Sequence, residues 1–190
     1  NNQMSMIKVH LGAGKRNWPD WINIDKADFP HIHYRDITKL SFRNNEVDIC
    51  YASHLIAYTD RQEIVPILNE WKRVLKPGGI LRLATPDFDA IGNLIVLNKY
   101  PLEAFLGPLY GKMSMGDKTI YHKTVYNFES LKLLLEEVGF KDVKKYNYWE
   151  TDHAQFDDHS MAHFPNDPNA IKTGDFSNKT LISLNVECTK

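Results

Sequence analysis

The chain is poor in the features that mark several large classes of protein. It has only two cysteines in 190 residues, Cys50 and Cys188, each inside an apolar run. No disulfide framework is expected, and both read as small buried hydrophobes in a reducing compartment. No apolar stretch approaches the ~20 residues of a membrane-spanning helix, so no membrane partner is expected. Residues 1–6 lack the charged and apolar regions of a secretory signal, and the expected address is the cytoplasm. Charge of one sign is not in excess: 23 Lys and Arg stand against 24 Asp and Glu, a formal net charge of -1. With no basic stripe, no nucleic-acid partner is expected. No repeat or linker is visible, and the length suits one domain, 1–190, with a sizeable core.

What is present is an alternation of strand and helix patterns. Ile7, Val9 and Leu11 alternate with Lys8 and His10 up to Gly12-Ala13-Gly14, which predicts a strand ending in a glycine turn. Short strands are expected at 21–25 and 32–34, each followed by an acid, Asp25 and Asp36. The near-continuous apolar run 47–53 reads as a parallel strand buried on both faces. Ile64, Ile67, Leu68, Trp71, Val74 and Leu75 fall at helical spacing, with Thr59 or Asp60 as N-cap. Lys76-Pro77-Gly78-Gly79 predicts a stop and a turn before a strand at 80–85. A helix is expected over 87–97, and another from Asn127 to Gly139. Strands at 141–148 and 181–189 close the chain. The fold class is therefore α/β: a Rossmann-like, seven-stranded, mostly parallel sheet with a C-terminal antiparallel edge hairpin. Segments near 100–125 and 150–180 read as lid-like insertions.

In such a sheet, ligands bind beyond the carboxyl ends of the strands. Those ends carry Gly12 and Gly14, Asp25, Asp36, Ser53, His54 and Asp87. The glycines let the backbone turn and approach a ligand. Asp25 can accept both hydroxyls of a ribose, and Asp36 can receive an adenine amino group. A dinucleotide such as NAD needs a helix N-terminus directly after the glycines. Only about six residues separate Gly14 from Trp21, with Pro19 among them, and the third glycine is missing. A phosphate-free adenosine ligand fits better.

Several motifs carry a family resemblance: Val9-His10-Leu11-Gly12-Ala13-Gly14, Trp21-Ile22-Asn23-Ile24-Asp25, Tyr51-Ala52-Ser53-His54 and Arg73-Val74-Leu75-Lys76-Pro77-Gly78-Gly79-Ile80-Leu81. Pro86-Asp87-Phe88, Phe128-Glu129-Ser130-Leu131 and Ser183-Leu184-Asn185-Val186-Glu187 extend it over nearly the whole chain. The sequence resembles the class I S-adenosylmethionine-dependent methyltransferases, especially the short ones of unassigned acceptor. The resemblance implies S-adenosylmethionine as cofactor. It implies that Gly12, Ala13 and Gly14 back the methionine part, that Asp25 holds the ribose and Asp36 the adenine, and that Ser53 and His54 line the cleft. Relatives commonly carry a Glu-His pair where this chain has Ala57-Tyr58, a departure at the loop after the fourth strand.

Methyl transfer asks mainly for alignment of nucleophile, methyl and sulfur, and for a base when the accepting atom carries a proton. Candidate bases are His54, Asp87, His122, Asp157, Asp158 and His159. Each also has a structural reading, as a packed or solvated side chain. The stretch from Glu150 to Asp175 holds six acids and one lysine. His159 and His163 stand four residues apart there, but no metal-ligand spacing matches and no metal is expected. The expected function is methyl transfer to a small-molecule or sugar-containing acceptor. A non-catalytic binding or partner module on the same fold is the alternative, and an NAD-dependent oxidoreductase ranks below both.

Overall fold

The computed structural model describes residues 5–27, 29–34, 36–156 and 158–190. In chain order the strands are β1 Lys8–Leu11, β2 Ile22–Ile24, β3 Val47–Ser53, β4 Leu75–Pro86, β5 Met113–Met115, β6 Lys118–Ile120, β7 Lys141–Lys145, β8 His163–Phe164, β9 Thr180–Leu181 and β10 Ser183–Thr189. The helices are α1 Ile64–Val74, α2 Phe88–Val96, α3 Leu106–Tyr110, α4 Phe128–Val138 and α5 Pro168–Thr173. The main sheet has the order β2-β1-β3-β4-β10-β7, with β10 antiparallel to both neighbours and the other pairings parallel. This is the expected α/β sheet with its antiparallel edge. Six strands form it among the described residues. The expected strand at 32–34 is reduced to a single bridge between Ile24 and Tyr34.

Local sequence explains the elements. Asp60 accepts from the N–H groups of Gln62 and Glu63, and Glu63 Oε1 accepts from the Asp60 N–H, a reciprocal pair that closes the turn leading into α1. Pro66 falls in the first turn of α1, where its missing N–H costs nothing. Asn127 and Ser130 form a capping box on α4, and Gly139 closes it at φ 108°. The segment Lys76–Gly79 does not interrupt β4. It bulges out of the ladder, so that Val47 pairs with Leu75 while Ile49 pairs with Ile80. A Cβ on Gly79 would meet the Lys76 carbonyl oxygen at 2.8 Å, which is why glycine stands there.

The two faces of the sheet are covered differently. Val9, Leu11, Cys50 and Ala52 point to the side packed by α1 and α4, with Trp71, Leu131 and Leu135. The alternate residues of β1 and β3, His10, Ile49 and Tyr51, point the other way. There Trp18, Trp21, Tyr148 and Met161 cover the sheet in place of long helices. The loop after β1 is too short for a helix, and the aromatic rings of two loops do the burying. Trp18 lies between His10 and Phe156, with ring centroids 4.0 and 4.8 Å away. A third cluster, Ile91, Leu94, Phe105 and Ile182, sits under α2. Among the described residues no helix is long and apolar enough to cross a membrane.

Candidate active site

Two cavities open at the carboxyl ends of the strands. The first, about 540 Å³, is lined by Gly12, Asp25, Ile37, Leu55, Ile67 and Trp71 among others. The second, about 420 Å³, includes His54, Pro86, Pro108, Lys112, His159 and Ile182 in its lining. Tyr58, Met113 and His122 line both, so they form the wall between them.

The glycine turn shapes the first cavity. Gly12 has φ 68°, and a Cβ there would lie 3.0 Å from the Leu55 side chain. The N–H of Ala13 donates to the Ile24 carbonyl and that of Gly14 to Asp25 Oδ2, at 3.0 and 2.9 Å. Asp25 Oδ1 accepts from the Ala27 N–H at 2.8 Å. Each carboxylate oxygen keeps further acceptor capacity toward the cavity. Ala13 itself is buried. No helix starts between Gly14 and Trp21, and two of the turn's N–H groups are already used. The turn therefore offers no helix N-terminus to a pyrophosphate, while the acid at Asp25 and the apolar wall from Ile37 to Trp71 fit a ribose and a purine.

Asp36 is placed differently from the expectation. It is exposed, its Oδ1 accepts from both the N–H and hydroxyl of Thr38, and it lies outside the lining of either cavity. Those bonds hold its carboxyl below the usual range. Its neighbour Ile37 faces the cavity instead, with its carbonyl held by Trp71 Nε1–H at 2.8 Å.

His54 adopts φ 51° at the end of β3 and lines the second cavity. Its Nε2 meets Ser183 Oγ at 2.9 Å, and Ser183 donates onward to Asn185 Oδ1 at 2.8 Å. Burial pushes the His54 pKa down to about 3, with the neighbouring His159 adding to the effect. His122 donates Nδ1–H to the Leu109 carbonyl at 3.1 Å, leaving Nε2 as the acceptor. Burial lowers its pKa as well. Tyr58 packs edge-on against it at 4.6 Å and donates its hydroxyl to the Gly111 carbonyl at 2.6 Å. Gly111, at φ 55°, leaves no room for a side chain: a Cβ would fall 2.2 Å from His122 Nε2.

The remaining candidates sit elsewhere. Asp87 caps α2 by accepting from the Ala90 N–H and lines neither cavity. Ser53 meets Ser160 Oγ at 3.3 Å. Asp158 is buried, with one oxygen on the Ser160 N–H and the other taking the hydroxyl proton of Tyr51. His159 is exposed and stands edge-on to His54 at 5.7 Å. Asp157 lies outside the described residues. His163 spends both ring nitrogens on the backbone of Met161 and Asp167, and among the described residues no cluster of metal-ligating side chains forms. Tyr58 stood out in the sequence only as part of the Ala57-Tyr58 departure, and Met113 and Lys112 carried no signal there. The first occupies the place of the family's Glu-His histidine, which was the one available signal.

The burial of Asp158 has a measurable consequence. Asp158→Ala leaves the Ser160 N–H without its buried acceptor and the Tyr51 hydroxyl with Ser160 Oγ alone, 2.7 Å away, at about 1–3 kcal/mol. Urea unfolding is expected to show that loss, while affinity for S-adenosylhomocysteine stays unchanged. Weakened ligand binding without loss of stability would show instead that Asp158 serves the cavity.

Residues 16–83 match the family model described as a methyltransferase domain. The chain has the fold of the class I S-adenosylmethionine-dependent methyltransferases. A methyltransferase of that type from Archaeoglobus fulgidus superposes with a TM-score of 0.59 at 15% identity, covering 98% of this chain and 87% of the other. One from Methanosarcina mazei gives 0.57 at 16% identity, covering 99% and 93%. The Burkholderia thailandensis 1,6-didemethyltoxoflavin-N1-methyltransferase, with 1,6-didemethyltoxoflavin and S-adenosylhomocysteine bound, gives 0.53 at 12% identity, covering 97% and 70%. No curated protein matches the chain in sequence.

Proposed function

We propose that this chain is an enzyme that methylates a small-molecule acceptor from S-adenosylmethionine. The observation that carries the reading is the pair of cavities meeting at Tyr58, Met113 and His122. A fold alone leaves function open. Here the first cavity offers Gly12, Asp25 and an apolar wall suited to the adenosine, and the second opens directly across a shared wall. The volumes fall in the range of small-ligand sites. The solved relative that holds both S-adenosylhomocysteine and a small molecule supports the same division of labour.

When bound, the cofactor supplies an electrophilic methyl group on a sulfonium. The chain's own residues position and shield it. Gly12 and Leu55 shape the back of the first cavity, and Asp25 holds its polar end. Tyr58, tied to Gly111, fixes the partition and excludes water from the junction. His122 lines both cavities with Nδ1 spent on the Leu109 carbonyl, so its Nε2, packed over Gly111, is the ring atom that could take a proton from an acceptor that carries one. His54, fixed by Ser183, forms the far wall. The segments near 100–125 and 150–180 serve as lids: the first contributes Met113 and His122, the second His159.

The test is calorimetric titration with S-adenosylhomocysteine. A saturable heat with micromolar affinity is the expected result. No binding at millimolar concentration overturns the reading. Binding without turnover over a broad acceptor panel would favour the non-catalytic module.

A further inference from the structure

The second cavity has an unusual chemical balance. Among its described lining residues there is no Asp, Glu, Asn or Gln side chain. Flat rings dominate instead: the imidazoles of His54, His122 and His159 and the phenol of Tyr58, set among Pro86 and Ile182. Lys112 brings the one permanent charge of that lining. It is exposed at the rim, directly after Gly111, and makes no ion pair among the described residues.

A polyhydroxylated acceptor would fit this lining poorly. Each sugar hydroxyl needs an acceptor for its proton once water is stripped away. His54 Nε2 is already engaged by Ser183, and His122 Nδ1 donates to Leu109. The Gly111 carbonyl is taken by Tyr58. Among the side chains of that lining, proton acceptors are confined to imidazole nitrogens and the Tyr58 hydroxyl oxygen. A planar ring, by contrast, can lie against imidazole and phenol faces and the proline rings. A negative group on such a ring would meet a lysine and no competing carboxylate.

Building on the methyltransferase reading, we propose that the acceptor is a small aromatic acid, its ring held among His54, Tyr58, His122 and His159 and its anionic group paired with Lys112.

Three isosteric probes test this: 2-naphthoate, 2-naphthamide and 2-naphthylmethylamine, with methyl α-glucoside as the sugar probe. Binding is read by ligand-observed NMR on the full chain, with and without saturating S-adenosylhomocysteine. The carboxylate is expected to bind at least about tenfold more tightly than the amide, and the amine and glucoside more weakly still. The advantage should shrink as salt rises, since Lys112 is exposed. Lys112→Glu should reverse the order of carboxylate and amine while leaving S-adenosylhomocysteine affinity and thermal unfolding unchanged. Lys112→Met should level the order. Equal affinities, no binding, tighter binding of the glucoside, or an order indifferent to Lys112→Glu would each overturn the proposal. The parallel S-adenosylhomocysteine titration separates the two levels. Its failure removes the methyl-transfer reading, whereas failure of 2-naphthoate on the loaded protein removes only the acceptor class.

Discussion

Asp25→Ala is expected to weaken S-adenosylhomocysteine binding roughly a hundredfold, and Asp36→Ala to change it by less than about threefold. The sequence treats these two acids alike, each standing after a short strand. The structure separates them. Asp25 lines the larger cavity and ties the glycine turn to the next loop, accepting from Gly14 and Ala27. Removing it releases both loops and, on the proposed placement of the ribose, deletes the acceptor for two hydroxyls. Hydrogen bonds to a charged group contribute about 1.5–3 kcal/mol each, so losing two of the weaker kind is about 3 kcal/mol, or a factor of about a hundred. Asp36 spends its bonds on Thr38 at the surface. Asp25→Asn keeps one acceptor oxygen and should fall between, near tenfold. Calorimetry on the three variants, with circular dichroism to confirm folding, checks the series. Equal losses from Asp25→Ala and Asp36→Ala would mean that the purine end lies over Thr38 rather than against Ile37 and Trp71.

What could be read from the sequence follows how local the cause was. The glycine turn, the closed turn at Asp60, the cap at Asn127, and the apolar face of α1 depend on residues within a few positions of each other, and their patterns are visible. Lys76–Gly79 shows the limit of that approach. Proline and two glycines predict a turn, but pairing with β3 on one side and β10 on the other keeps the segment in the sheet as a bulge. Ile32–Tyr34 shows the opposite failure: a plausible strand pattern yields a single bridge, because Asp25 and His33 turn the chain within hydrogen-bonding range of β2. The segment near 100–125 contains short elements, among them α3 and the β5–β6 hairpin, and it docks against Ala57 and Tyr58 through Lys123 and Gly111. That docking is also why Lys112 and Met113 carry no signal in the sequence and why Tyr58 reads there only as a departure from the family pattern. Their meaning comes from a partner more than fifty positions away in the case of Tyr58 and Gly111. His10 is the clearest lesson. Alternation places it opposite Val9 and Leu11, on the face of a half-exposed strand that would ordinarily be solvated. Here that face is roofed by Trp18, and the histidine is buried.

That burial makes the protein's stability sensitive to acid. His10 and His153 both lie on the aromatic face and are almost wholly shielded from solvent. Burial lowers His10 to about 4, against a partial opposing effect from its Nδ1–H bond to Asn23 Oδ1 at 3.1 Å. Burial, reinforced by the Arg82 guanidinium, lowers His153 to about 3, although Asp152 pulls the other way. Arg82 donates to His153 Nε2 at 3.2 Å and is itself held by Glu187. In the unfolded chain both rings titrate near 6.5. Above that pH both states are neutral and neither histidine costs anything. As pH falls below it, the unfolded chain binds two protons that the folded one refuses, so stability drops by about 1.4 kcal/mol per pH unit for each ring. The loss continues until the folded rings titrate at about 4 and about 3. Between pH 7.5 and pH 5 the two together should cost on the order of 4 kcal/mol, enough to unfold a marginal domain. His153→Gln keeps an acceptor for Arg82 without a titrating ring, and should remove about a third of the slope at most, because the buried His54, also lowered to about 3, and the lowered His122 add their own shares. Urea midpoints measured at several pH values in that window decide the matter. A flat profile, or a slope that His153→Gln leaves untouched, would mean that the aromatic face admits enough water to charge these rings without unfolding.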